Sequence, residues 1–188
     1  MDERGSFSSD PPAVRAVTLI HQEGVLALIA VVGLAFGEHG PLGGLAPTVS
    51  AYRSLAVGVA AGLGSSAILW LFRGLPPLRA LQEFQHRLVR EWTVVDALSV
   101  ALLSGLAEEA LLRALLQPLI GLVPAAVLFA VLHLVPDRRL WLWPVVALAL
   151  GVMLGVLFDY AGYPAAAAAH VTINCCALLR LRTLRPGP

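Results

Sequence analysis

Glu108, Glu109, Arg113, His133, His170 and Asn174 are polar side chains set inside apolar runs of a 188-residue chain. A charge near the centre of a bilayer costs from roughly 3 to more than about 10 kcal/mol, so such groups persist where they pair, line a polar cavity or do chemistry. Glu109 and Arg113 stand four apart with the acid first, the order that favours an ion pair on a helix. Glu108 points about 100° away around the same helix and lacks that partner. One acid is therefore structural and the other is available. His133 ends the segment FAVLH that begins at Phe129, and His170 and Asn174, in HVTIN, share one helix face at i and i+4. These types fit activation of a water molecule. A carboxylate in an apolar pocket serves as general base, and a histidine beside it holds the same water. A second histidine and an asparagine donate to the oxygen of a tetrahedral intermediate. Glu108, His133 and His170 equally suit a zinc ion, so metal-assisted and metal-free hydrolysis both stay open.

Each residue also has a plainer reading. A histidine inside a span bonds a backbone carbonyl, and a His–Asn pair joins two helices. Phe129 reads as core packing, the alanine run 165–169 as a close-packing face that also leaves room for a peptide, and Asp159 as a solvated loop acid. His21 and Glu23 lie near the start of a span, within reach of the headgroups, and read as interfacial; His86 reads as a solvated surface histidine. Cys175 and Cys176 are adjacent, which disfavours a disulfide between them, and read as packing residues. The site stands out when the polar positions are taken together.

The elements that must position them are apolar helices. Hydrophobic residues make up 58% of the chain and charged residues 13%, with a mean hydropathy of +0.79. A soluble domain carries about a quarter charged residues. The fold class is all-α: a polytopic membrane helix bundle of about six spans, at 16–36, 54–72, 93–117, 125–135, 140–158 and 164–181. Residues 1–15 read as a disordered tail. Residues 37–53 form a Gly/Pro-rich loop, and Gly58, Gly62 and Gly64 allow close approach of the second span. The sequence LQEFQHRLVREW, from Leu81, alternates at helical spacing and predicts a helix lying in the interface. Turns are expected at 118–124 and 159–163, and 182–188 is a terminal tail. All 13 basic residues are arginine, a composition that points to a GC-rich, bacterial genome and an inner-membrane location. With the N-terminus in the cytoplasm, only Arg53 falls outside and only Arg113 within a span, so both ends are expected to be cytoplasmic. No basic block interleaved with aromatics points to nucleic acid.

Along antiparallel helices that turn near Ile120 and Gly121, Glu108 and His133 sit at matching depth, roughly 19 Å from the turn. The ordered set E-E-x-x-x-R, F-x-x-x-H and H-x-x-x-N, on separate apolar spans, resembles the CPBP intramembrane proteases, which include the type II CAAX prenyl endopeptidases and bacteriocin-processing enzymes. Here the motifs stand as Glu108-Glu109 with Arg113, Phe129 with His133, and His170 with Asn174. The resemblance covers about 94–181, so 93–181 is the expected catalytic core and 16–92 adds two spans and the interfacial segment. Leu112-Arg113-Ala114 departs from the family's usual F-R-G. The resemblance implies a membrane endopeptidase whose site opens to the cytoplasm. Glu108 would activate water with His133, and His170 with Asn174 would stabilise the oxyanion, supported by Glu109, Arg113 and Phe129. The implied partners are a peptide or protein substrate, in some members lipidated, and membrane lipids; the implied cofactor is zinc or none. The alternative is a non-catalytic membrane protein of the same fold, acting in bacteriocin self-immunity or as a scaffold.

Overall fold

Each of the apolar runs winds into a helix, as it must where no water can satisfy backbone amides. In the computed structural model, which describes residues 13–36 and 43–184, the order is α1 (Ala16–Ala35), α2 (Ala51–Leu71), α3 (Pro76–Val89) and α4 (Val94–Glu109). A π-helical stretch, Ala110–Leu116, continues α4 into α5 (Gln117–Ile120); then come α6 (Leu122–Leu132), α7 (Leu142–Ala161) and α8 (Tyr163–Leu181). There is no strand among the described residues.

Ala16–Ala35, Ala51–Leu71, Arg138–Ala161 and Tyr163–Leu181 are long and apolar enough to cross a bilayer by length and composition. The acid-bearing helix, 94–120, is comparably long but broken in pattern by its charges. With 11 residues, α6 spans only about 16 Å, about half of a typical hydrocarbon core.

α8 is the central helix, packed on α2, α4 and α7, while α1 lies on α4 and α6 on α7. The alanine run makes this possible: Ala165, Ala166, Ala167 and Ala169 are buried, and a Cβ at Gly62 would stand 2.7 Å from the Ala169 carbonyl oxygen. The run is a packing face and leaves no room for a peptide there. Gly58 and Gly62 serve this contact, whereas Gly64 faces open space and serves none.

Both turns beside the site are tighter than the expected loops. Gly121 (φ 90°) alone separates α5 from α6, and Gly162 (φ 83°) alone separates α7 from α8. Only glycine adopts this left-handed backbone without strain. Pro118 and Pro164 sit in the first turn of their helices, where a proline needs no amide hydrogen and breaks nothing. Asp159 consequently belongs to the last turn of α7, exposed, with its Oδ1 accepting from Gln117 Nε2 at 2.8 Å.

The amphipathic segment forms α3, which buries Leu78, Leu81 and Val89. His86 is not a solvated surface group: it is half-buried and its Nδ1 donates to the Leu181 carbonyl at 2.6 Å. The start of the chain is pinned to the same region. The Val14 amide donates to Leu88 O (3.0 Å) and Trp92 Nε1 to Val14 O (2.7 Å), so Val14, counted in the expected disordered tail, is held in place. Residues 1–12 of that tail, like residues 37–42 and 185–188, lie outside the described residues.

Candidate active site

α4 begins on a reciprocal cap, with the Asp96 amide donating to Thr93 Oγ1 (3.1 Å) and the Thr93 amide to Asp96 Oδ2 (2.9 Å). This fixes where the helix starts and hence which way its acids point. Glu109 turns into the bundle and is 0% exposed, as is Arg113. Arg113 Nε donates to Glu109 Oε2 at 3.1 Å, the ion pair that the spacing predicts. Glu109 Oε1 takes a second donor from α8: His170 Nδ1 at 2.8 Å. A carboxylate beside a guanidinium only accepts, so Nδ1 carries the hydrogen and Nε2 of His170 is turned to other partners.

Phe129 fills the space between these groups. It is 3% exposed, with its ring centroid 4.5 Å from that of His133, 5.6 Å from that of His170 in edge contact, and 5.5 Å from the Arg113 guanidinium carbon. The aromatic face offsets part of the desolvation of the buried cation. Phe129 is thus more than filler: it holds two histidines at set angles.

His133 caps α6. Its Nδ1 lies 2.8 Å from Phe129 O, one of the last carbonyls of that helix. A carbonyl only accepts, so Nδ1–H donates and Nε2 keeps its lone pair. The carbonyl bond foreseen as the plain reading is therefore present, and it also fixes the tautomer a base needs. Asn174, one turn beyond His170, donates through Nδ2 to Ser104 Oγ at 2.9 Å, while Thr172 turns back to Ala168 O.

Two cavities meet at these residues. A chamber of about 770 Å³ is lined by Glu23, Ser104, Glu108, His133 and Asn174 at its polar end. A second, of about 460 Å³, is lined by Phe129, His133, His170 and Asn174 along with apolar residues of α2, α3 and α7. His133 and Asn174 stand in both walls. The structure therefore brings Glu108, His133 and Asn174 to one chamber, and His170 to the adjoining one. Glu109, Arg113 and Phe129 lie behind them. Glu108 is half-buried, and its Oε2 is shielded and has no hydrogen-bond partner.

Among the described residues no three His, Cys, Asp or Glu side chains converge as a metal-ligand set, and the Glu108, His133 and His170 triad is not one. The Nδ1 bond of His170 to Glu109 leaves its Nε2 open to a partner.

Two wall residues escaped the sequence reading. Ser104 sits four residues before Glu108 on the same face, a spacing that was open to inspection. Glu23 was read as interfacial with His21. His21 is exposed, but Glu23 is turned inward to the chamber, about 10 Å along α1 from its start. Cys175 and Cys176 are free and half-buried, and Cys176 contributes to the smaller cavity wall.

The long apolar helices and their packing define an integral membrane protein, all-helical throughout the described residues. Residues 90–176 match the family model described as type II CAAX prenyl endopeptidase Rce1-like. That family is one of proteases, and the matched segment contains all three motifs. The match begins just before α4 and ends within α8, leaving out α1, α2 and α3. Comparison with curated proteins gives no match, and comparison with solved structures gives none.

Proposed function

We propose that this protein is an intramembrane endopeptidase of the CAAX prenyl protease type that hydrolyses a peptide bond with a water held by Glu108 and His133. The observation that carries the proposal is the shared chamber wall: a carboxylate, a histidine with a free Nε2 and an asparagine face one space. In this reading Glu108 takes the proton as the water oxygen adds to the carbonyl carbon. His133 Nε2 accepts the water's other hydrogen and orients it. The oxyanion so formed accepts from the second Nδ2 hydrogen of Asn174 and, when the ring carries a second proton, from His170 Nε2–H. Glu109 offsets that charge on His170, and Arg113 keeps Glu109 in place. The C–N bond then breaks with its electron pair going to nitrogen, which takes the proton from Glu108.

The arginine distribution supports a cytoplasmic location for both ends, and the all-arginine composition supports a bacterial inner membrane. The apolar walls of both cavities support a substrate that is itself membrane-associated. A prenylated peptide, the substrate of eukaryotic members, is the first to try. The catalytic core in this reading is 93–181, with 16–92 packed around it.

The test is cleavage of an internally quenched apolar peptide, with and without a prenyl group, by the purified protein in liposomes. Turnover that disappears in Glu108→Ala and in His133→Ala, each still folded, is the expected result. A protein that binds such peptides but never cleaves them would sink the reading.

A further inference from the structure

Helix α1 lies outside the segment that matches the protease family, yet it puts Glu23 into the chamber wall alongside Glu108, Ser104, His133 and Asn174. Glu23 Oε2 is shielded from solvent and has no hydrogen-bond partner, as is the case for Glu108 Oε2. Among the described residues no arginine or lysine lines this chamber. Buried polar atoms are nearly always hydrogen-bonded, so an orphaned carboxylate oxygen calls for a donor.

A count of donors and acceptors narrows the choice. With both acids ionised, the Glu23 and Glu108 carboxylates and His133 Nε2 are all acceptors, because His133 Nδ1–H is spent on Phe129 O. The nucleophilic water brings two hydrogens, which serve Glu108 and His133. Glu23 remains, and the donor that a peptide bond itself brings is the N–H of its scissile nitrogen.

From this accounting we infer that Glu23 is a further catalytic residue, whose carboxylate accepts the N–H of the departing amine. This rests on the hydrolytic reading of the site and adds a role for a helix outside the matched segment. As the C–N bond breaks, nitrogen gains the electron pair and the proton held by Glu108, and its N–H hydrogens become stronger donors. A bond to Glu23 therefore tightens between the ground state and the transition state, the kind of interaction that raises kcat rather than lowering KM. An ester makes the contrast, because its departing oxygen carries no hydrogen until it takes the one from Glu108.

The experiment compares full-length wild type and Glu23→Gln on one internally quenched apolar peptide and on the same sequence with the scissile amide replaced by an ester. The amide-to-ester ratio of kcat, read on a single preparation, does not depend on how much of the protein is folded. Glu23→Gln is expected to lower that ratio by about tenfold or more, with KM little changed. Equal loss on both substrates, as a merely structural role would give, or no loss on either, overturns the inference. Should Glu23→Gln hydrolyse neither, Glu23→Asp carries the test: a carboxylate drawn back by one methylene lowers the ratio if it reaches the amine, and an unchanged ratio overturns the inference. A wild-type protein that cleaves neither substrate overturns the hydrolytic reading, and this inference with it.

Discussion

Glu109 and His170 are 61 residues apart in sequence, yet Oε1 of the acid and Nδ1 of the ring lie 2.8 Å apart in the buried interior. With its other oxygen on Arg113, one carboxylate holds a cation on its own helix and an imidazole on another. Glu109 thus ties the acid-bearing helix to α8 at the level where the two cavities meet.

Removing that tie should cost stability first. Breaking a buried ion pair by deleting one partner costs about 3–5 kcal/mol, because the other charge is left uncompensated. Arg113→Ala and Glu109→Gln are each expected to lower the unfolding midpoint in detergent and the yield of monodisperse protein. Thermal unfolding at matched lipid content measures this, and wild-type midpoints in both variants would show that the pair does not hold the core.

His133 should matter for rate and little for fold. Its ring caps α6 and is half-buried, so His133→Asn, which still reaches a carbonyl, is expected to unfold near the wild-type midpoint. Loss of general acid–base assistance costs about 10²- to 10⁴-fold in turnover. Single-turnover cleavage in liposomes reads that loss, and retained turnover would remove His133 from the water.

Asn174 should act after the water adds. Losing one oxyanion donor costs about 10²- to 10³-fold in kcat, with KM largely kept. Asn174→Ala is expected to fall in that range. Ser104→Ala, which only frees the amide from its 2.9 Å partner, should fall less. Steady-state kinetics on one peptide series separate the two, and a larger defect in Ser104→Ala would invert their roles.

Chelation should leave turnover intact, since Glu108, His133 and His170 do not converge as a ligand set. Overnight treatment with o-phenanthroline, desalting and elemental analysis check this. Activity lost on chelation and restored by zinc alone would show that these side chains rearrange around a metal.

What the sequence made legible was whatever lies on one helix. The Glu109–Arg113 pair follows from a spacing of four, and it survives even though the backbone widens into a π-helical stretch immediately after Glu109. The helical runs were legible because an apolar span has few other ways to satisfy its amides. What joins different helices was not. Nothing in HVTIN says that His170 faces Glu109 while Asn174 faces Ser104, since both bonds depend on how α8 is rotated against α4. Glu23 shows the same limit: its depth along α1 could be counted, but its direction is set by packing on α4. The turns were misjudged for another reason. Pro118 reads as the start of a loop but, like Pro164, occupies a first-turn position, so single glycines do the turning.

The central claim is that Glu108 is the base that activates the attacking water, and the rate of Glu108→Gln tests it most directly. The amide keeps the side chain's shape and removes its capacity to take a proton. In liposomes, with unfolding midpoint and peptide affinity unchanged, its single-turnover cleavage rate is expected to fall by at least about 10²-fold. Cleavage by Glu108→Gln at the wild-type rate would contradict the account.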